Sequence, residues 1–197
     1  MRTLVWAAIV VGLSVGIDPG SAAPAREPAP AVHTVAGLSG QERIVLDWAL
    51  GLYTEAGLEL PSIEFVGHET FDACRGGGGL FRDEAEGSVI HICGDHPRKF
   101  DETLFLHELA HAWDFANLDP SQRADFAELR GVTQWWGDGE HDWDELGAEH
   151  AAEIVVWALR DRPMSVYTIP DAGCDALHAG YVALTGRQPL HGHRDRC

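Results

Sequence analysis

An α+β fold is predicted for this 197-residue chain by three observations. Strand-like runs are confined to residues 62–93, helical apolar spacing dominates everything after Pro97, and no segment repeats. The length suits a single domain, and 45% hydrophobic with 23% charged residues is ordinary for a globular protein. Lys plus Arg number 14 against 31 Asp plus Glu, a net charge of -17. Such a chain has no basic stripe to neutralise a phosphate backbone, so nucleic acid and anionic membrane surfaces are excluded as expected partners.

The first element, 1–25, reads as a secretory signal peptide: Arg2, an uncharged run from Leu4 to Ile17, then small residues from Ser21 to Ala25. That run is shorter than the roughly 18 residues a membrane span needs, so cleavage after Ala22 or Ala25 is favoured over a retained anchor. No membrane association is expected after cleavage. Residues 26–38, rich in Ala and Pro, read as a disordered leader, and 39–197 as one domain. Export places Cys74, Cys93, Cys174 and Cys197 in an oxidising compartment, where two disulfides are the default. Of the three connectivities, Cys74–Cys93 and Cys174–Cys197 are favoured because each pair flanks one local unit. The tail with His191, His193 and Cys197 offers a metal site as the lesser alternative.

Ser39 and Glu42 form a capping box, after which Ile44, Val45, Trp48, Ala49, Leu52 and Ala56 mark the packed face of a helix ending at Gly57. Residues 62–66 alternate as a strand. Past the glycines at 76–79, residues 80–82 and 88–93 read as a hairpin around a five-residue loop, 83–87. The glycines are taken as a flexible entry to that hairpin, since no Gly-Lys-Ser/Thr follows to make a phosphate loop. Pro97 opens a helix over 98–115, with Leu104, Leu106, Leu109, Ala110 and Trp113 in the core and Asn117 stopping it in a left-handed conformation. Asp119 and Pro120 stand at the cap and first turn of a helix that ends at Gly131. A loop bearing Trp135, Trp136, His141 and Trp143 leads to a helix over 144–160, and the last helix spans 171–185. The tryptophans either line a cleft or cover the backs of helices.

The chemistry is concentrated in His107-Glu108-Leu109-Ala110-His111. Two His four residues apart stand on one helical face and can reach one Zn2+, and the Glu beside the first can reach a water on that ion. A catalytic zinc takes three protein ligands and keeps a position open. The third is sought in Glu149 and Glu153, themselves one turn apart: one can ligate while the other accepts a hydrogen bond from a ligating imidazole. Gly147, Ala148, Ala151 and Ala152 would let that helix approach the first closely.

The HELAH helix followed by a helix carrying Glu149-xxx-Glu153 resembles the active-site helices of gluzincin metallopeptidases, in their compact secreted bacterial form. The resemblance covers roughly residues 60–160 and implies a zincin-like fold, a small, twisted, mostly antiparallel sheet packed on the active-site helix ahead of a mainly helical C-terminal half. It implies one Zn2+ held by His107, His111 and Glu149, with Glu108 as general base and acid and Glu153 behind a ligand His. It also implies that strand 88–93 is the sheet edge beside the cleft, where a peptide adds as a further strand. The activity implied is zinc-assisted hydrolysis of peptide bonds by an extracellular enzyme acting on peptides or proteins, expected to work as a monomer. The oxyanion needs a further donor. Among Tyr167, His178, His141 and His150, Tyr167 is preferred because it lies on the connection beyond the ligand helix. Two other readings stay open, a zinc-binding protein without hydrolytic activity and an amidase acting on a non-protein or cell-wall substrate.

Overall fold

In the computed structural model, residues 31, 33–85, 87–137, 142–162 and 164–191 are described. The signal peptide 1–25 expected from the sequence lies outside them. Three layers position everything that follows: a four-stranded sheet, the helices lying against it, and a second tier of helices behind.

The chain enters as strand β1 (His33–Ala36), which pairs in parallel with β2 (Ile63–His68). This corrects the expectation of a disordered leader for His33–Ala36, while 26–30 and 32 lie outside the described residues. Thr34 and Val35 suit a pleated strand, a signal lost among the surrounding Ala and Pro. The crossover between the two strands is helix α1 (Gly40–Ala56), which begins at the expected Ser39/Glu42 capping box and ends at Gly57 with φ 68°. Its buried face is Val45, Leu46, Ala49, Leu52 and Tyr53. Ile44, expected inside, is 60% exposed, because the large Tyr53 rather than Ile44 turns inward.

After β2 come a 3-10 turn at Asp72–Cys74 and strands β3 (Gly79–Glu84) and β4 (Gly87–Cys93). The hairpin exists, but its ladder continues to Glu84↔Gly87, so the connection is tighter than five residues. Gly87 closes it with φ 134°, a conformation that side chains disfavour. The sheet order is β1-β2-β4-β3. Both β1/β2 and β2/β4 are parallel and only β3/β4 is antiparallel, so the sheet is mixed, not mostly antiparallel. Local turn signals reveal a hairpin, whereas parallel partners are joined through long connections that leave no such mark. For the same reason β4 is not an edge strand: it lies between β2 and β3, and β3 is the edge on that side, with β1 at the other. The Cys74–Cys93 disulfide, with an S–S distance of 2.08 Å, ties the 3-10 turn to the end of β4.

Helix α2 (Arg98–Asn117) packs on the sheet through contacts such as Phe65 with Phe105, 6.4 Å between ring centres. Tyr53 donates to the Leu106 carbonyl at 2.9 Å and pins α1 to α2. Asn117 stays helical and Leu118 caps α2 in an extended conformation, since the Asn117 amide donates to Glu59 O and Trp113 O. Helix α3 (Pro120–Arg130) is capped by Asp119 and stopped by Gly131, as expected. A 3-10 turn (Trp143–Glu145) takes up the start expected for the next helix, so α4 spans Gly147–Leu159. Helix α5 (Cys174–Thr185) packs on α4. Cys174 is not free, and Cys197, its expected partner, lies outside the described residues, as does His193.

Helix α4 is the hub of the core. Ala148, Ala151 and Ala152 are buried, and Gly147 has no room for a side chain, since a Cβ there would meet the Trp135 ring at 2.7 Å. This small-residue face lets α2 and α4 approach closely enough for their polar side chains to meet. Among the described residues no helix is long and apolar enough to cross a membrane.

Candidate metal centre

The HELAH segment lies in the middle of α2, with Leu106, Leu109, Ala110 and Ala112 buried around it. That apolar surround fixes the rotation of the helix and aims His107 and His111 at α4. Glu149 stands in the first turn of α4 and Glu153 one turn later. The helix N-terminus favours a carboxylate at Glu149.

Three ligand atoms converge. His107 Nε2 lies 3.0 Å from Glu149 Oε2, His111 Nε2 lies 3.4 Å from the same oxygen, and the two Nε2 atoms are 3.1 Å apart. Donors on a tetrahedral zinc with bonds of 2.0–2.1 Å stand about 3.3–3.4 Å from one another. Two imidazoles and one carboxylate at these separations therefore fit a zinc ion, and these three residues form the one group among those described that could hold a metal. Behind them, Glu153 Oε1 lies 3.3 Å from His107 Nδ1, the distance at which it would accept that proton and leave Nε2 for a metal. His111 differs: its Nδ1 is buried with no hydrogen-bond partner among the described residues.

Charge points the same way. Burial alone would lower the His107 pKa, but hydrogen bonds to Glu149 and Glu153 and the charge of Glu108 outweigh it and raise it to about 10. Burial would likewise raise Glu149, yet its hydrogen bonds to His107 and His111 hold it well below the usual carboxylate range. In the metal-free protein the cluster thus holds a proton tightly, the behaviour expected of a site that needs a positive charge.

Glu108 is 5% exposed, and its pKa is raised chiefly by burial. It accepts a backbone hydrogen bond from Phe81 on the edge strand. It also rests on Gly79: a Cβ at that position would lie 2.5 Å from Glu108 Oε1. The sequence treats the glycine run as slack, whereas at Gly79 the absent side chain is what admits the carboxylate. A cavity of about 340 Å3 opens in front of these groups, between β3 on one side and Trp136, Trp143 and Leu146 on the other. Trp143 stacks on His107 at 5.8 Å between ring centres and 19° between planes, and Trp136 packs against both His111 and Phe81. Trp135 turns away, donating from Nε1 to Asp114 Oδ2 at 2.9 Å. The tryptophans therefore divide, Trp136 and Trp143 lining the cavity and Trp135 covering a helix.

Tyr167 does not join this site. It is 87% exposed and lines a different cavity with Lys99, Arg160 and Met164, so the preference for it as oxyanion donor is corrected. Chain order beyond α4 carries no information about which way the connection turns. His150 is fully buried and committed, with Nδ1 facing Arg130 Nε at 3.3 Å and Nε2 facing the Asp144 carbonyl at 2.8 Å. His178 is bound to Gln188, and His141 lies outside the described residues. The cavity wall instead includes Arg75 and Arg82, which no motif singles out.

Comparisons with protein-family models, with curated proteins and with solved structures find no match for this chain.

Proposed function

We propose that this protein is a secreted, zinc-dependent peptidase of zincin type, with His107, His111 and Glu149 as ligands of one Zn2+. The observation that carries the reading is the convergence of those three ligand atoms at tetrahedral spacing, with the buried Glu108 facing the same cavity. A purely structural zinc has no use for a carboxylate between its two His, and closed structural sites favour cysteine, whereas Cys74 and Cys93 are bonded to each other.

Bound there, zinc would acidify a water and polarise a carbonyl. Glu108 would take the proton from that water and later return it to the departing amine. Its burial suits this work, since a carboxyl whose pKa is raised by burial is a stronger base toward that water than an ordinary carboxylate. Glu153 would hold the His107 ring by its Nδ1–H and keep Nε2 aimed at the metal. Trp143, stacked on His107, would limit water at the mouth of the cavity. The exposed backbone of edge strand β3 could take up an extended peptide as a further strand.

The test combines zinc stoichiometry on the purified mature chain with hydrolysis of a peptide library by wild type and by Glu108→Gln. One zinc per chain with activity that disappears in the variant is the expected result. No bound zinc, or full activity in Glu108→Gln, would end the proposal.

A further inference from the structure

Building on the peptidase reading, we propose that Arg75 and Arg82 make the cavity selective for substrates bearing a carboxylate close to the bond that is cut. The chain carries 31 acidic against 14 basic residues, so its overall field repels anionic peptides. Against that background, both charged residues that border the cavity on its β3 side, apart from the catalytic cluster, are arginines.

Neither guanidinium is used by the fold. Arg98 and Arg162 bind Glu102, Arg123 binds Asp114, and Arg130 binds the Pro170 and Asp171 carbonyls. Arg75 and Arg82 have no hydrogen bond or ion pair with any described residue. Arginine's planar fork is built to grip a carboxylate through two parallel hydrogen bonds, and in this cavity that grip is not taken by the chain itself.

Their placement is also deliberate in backbone terms. Arg75 sits in the left-handed region at φ 53°, immediately before a glycine run that would occupy that conformation without cost. An arginine held there is mildly strained, and such strain gathers at binding sites. The neighbouring Cys74–Cys93 disulfide anchors the turn that carries it to β4. Arg82 follows Phe81 on β3 and takes the other face of that strand, the one that carries His91, so a peptide laid along this edge would pass Arg75 at the cavity and Arg82 across the strand.

The test uses the full mature chain and two pairs of peptides. One pair differs by Glu against Gln within an amidated peptide, and the other by a free against an amidated C-terminus in a neutral peptide. Binding to the Glu108→Gln variant is followed by fluorescence of Trp136 and Trp143, with zinc present and with zinc removed, and kcat/KM is measured on wild type. The acidic member of at least one pair should bind about tenfold more tightly, and the pair that responds identifies a side-chain or a terminal carboxylate as the ligand. R75Q and R82Q should each reduce that preference, together abolish it, and leave the neutral peptides unaffected. Raising salt from about 50 to about 500 mM should erode it in the unsubstituted cavity, a reading that needs no arginine variant. Equal binding of acidic and neutral peptides, a preference that survives in the double variant, or an equal loss of kcat on all peptides would overturn the inference. If charge-selective binding is found without any hydrolysis, the peptidase reading fails while this one stands.

Discussion

Two buried polar clusters lie along α2 and are balanced in opposite ways. Near its start, Glu102 is surrounded by cations: Arg162 Nη2 lies 2.9 Å away, Arg98 Nε 3.3 Å and Arg160 Nη2 3.8 Å. In its middle, His107 and His111 face Glu108, Glu149 and Glu153, and among the described residues no Lys or Arg pairs with any of the three. The first cluster is neutralised by the chain and fastens α2 to the segment after α4. The second holds more negative charge than the chain compensates, and its missing charge must come from solution. A buried polar cluster that completes itself is structural, whereas one that leaves a charge unanswered is a candidate for function.

Substitutions should separate the two clusters, beginning with the largest effect. Glu108→Gln should leave zinc bound and reduce kcat about 10²- to 10⁴-fold, measured with the best peptide found by the library screen. Glu149→Ala should remove most of the zinc on gel filtration, and Glu153→Ala should weaken zinc affinity or activity about 10- to 100-fold. The reverse order would exchange the ligand and its supporter. Gly79→Ala should resemble Glu108→Gln, with zinc retained and hydrolysis lost, because the added Cβ displaces the carboxylate. Glu102→Gln should act on stability alone, at about 1–3 kcal/mol, a value reduced by the solvent exposure of Arg98 and Arg162. Thermal melting would show that loss, and unchanged zinc content would confirm that the clusters are independent.

The smallest effect is a pH slope. With the metal-free His107 pKa raised to about 10, its protonation stabilises the fold fully below the unfolded value of about 6.5, and that contribution fades as pH rises to about 10. Zinc must displace this proton, so between those limits its apparent affinity should rise about tenfold per pH unit. Competition with a chelator at several pH values measures the slope, and a flat profile would mean that zinc displaces no proton from His107 in this range.

The unbalanced cluster was also the more legible of the two. HELAH and the Glu149/Glu153 pair depend on helical spacing, which is local, and the structure brings the side chains together as that spacing predicts. The choice of Glu149 over Glu153 came from the resemblance to gluzincins, since spacing treats the two alike. The Glu102 cluster joins residues 60 apart in sequence and carried no motif. The same limit explains β1, the parallel pairings and the identity of the edge strand, all set by partners distant in the chain. Tyr167 lies away from the site for the complementary reason: nearness along the chain is not nearness in space.

Gly79 gives the site an unusual relation to variation. A single-nucleotide change turns a glycine codon into an alanine codon, and here that change falls on a strand, whose backbone alanine favours over glycine. Descendants bearing it would keep the core, the disulfide and the His107–His111–Glu149 cluster while losing the placement of Glu108. On the proposed peptidase reading, a hydrolase and a metal-carrying non-hydrolase would then differ by one methyl group, and a census of HExxH motifs would count both as enzymes.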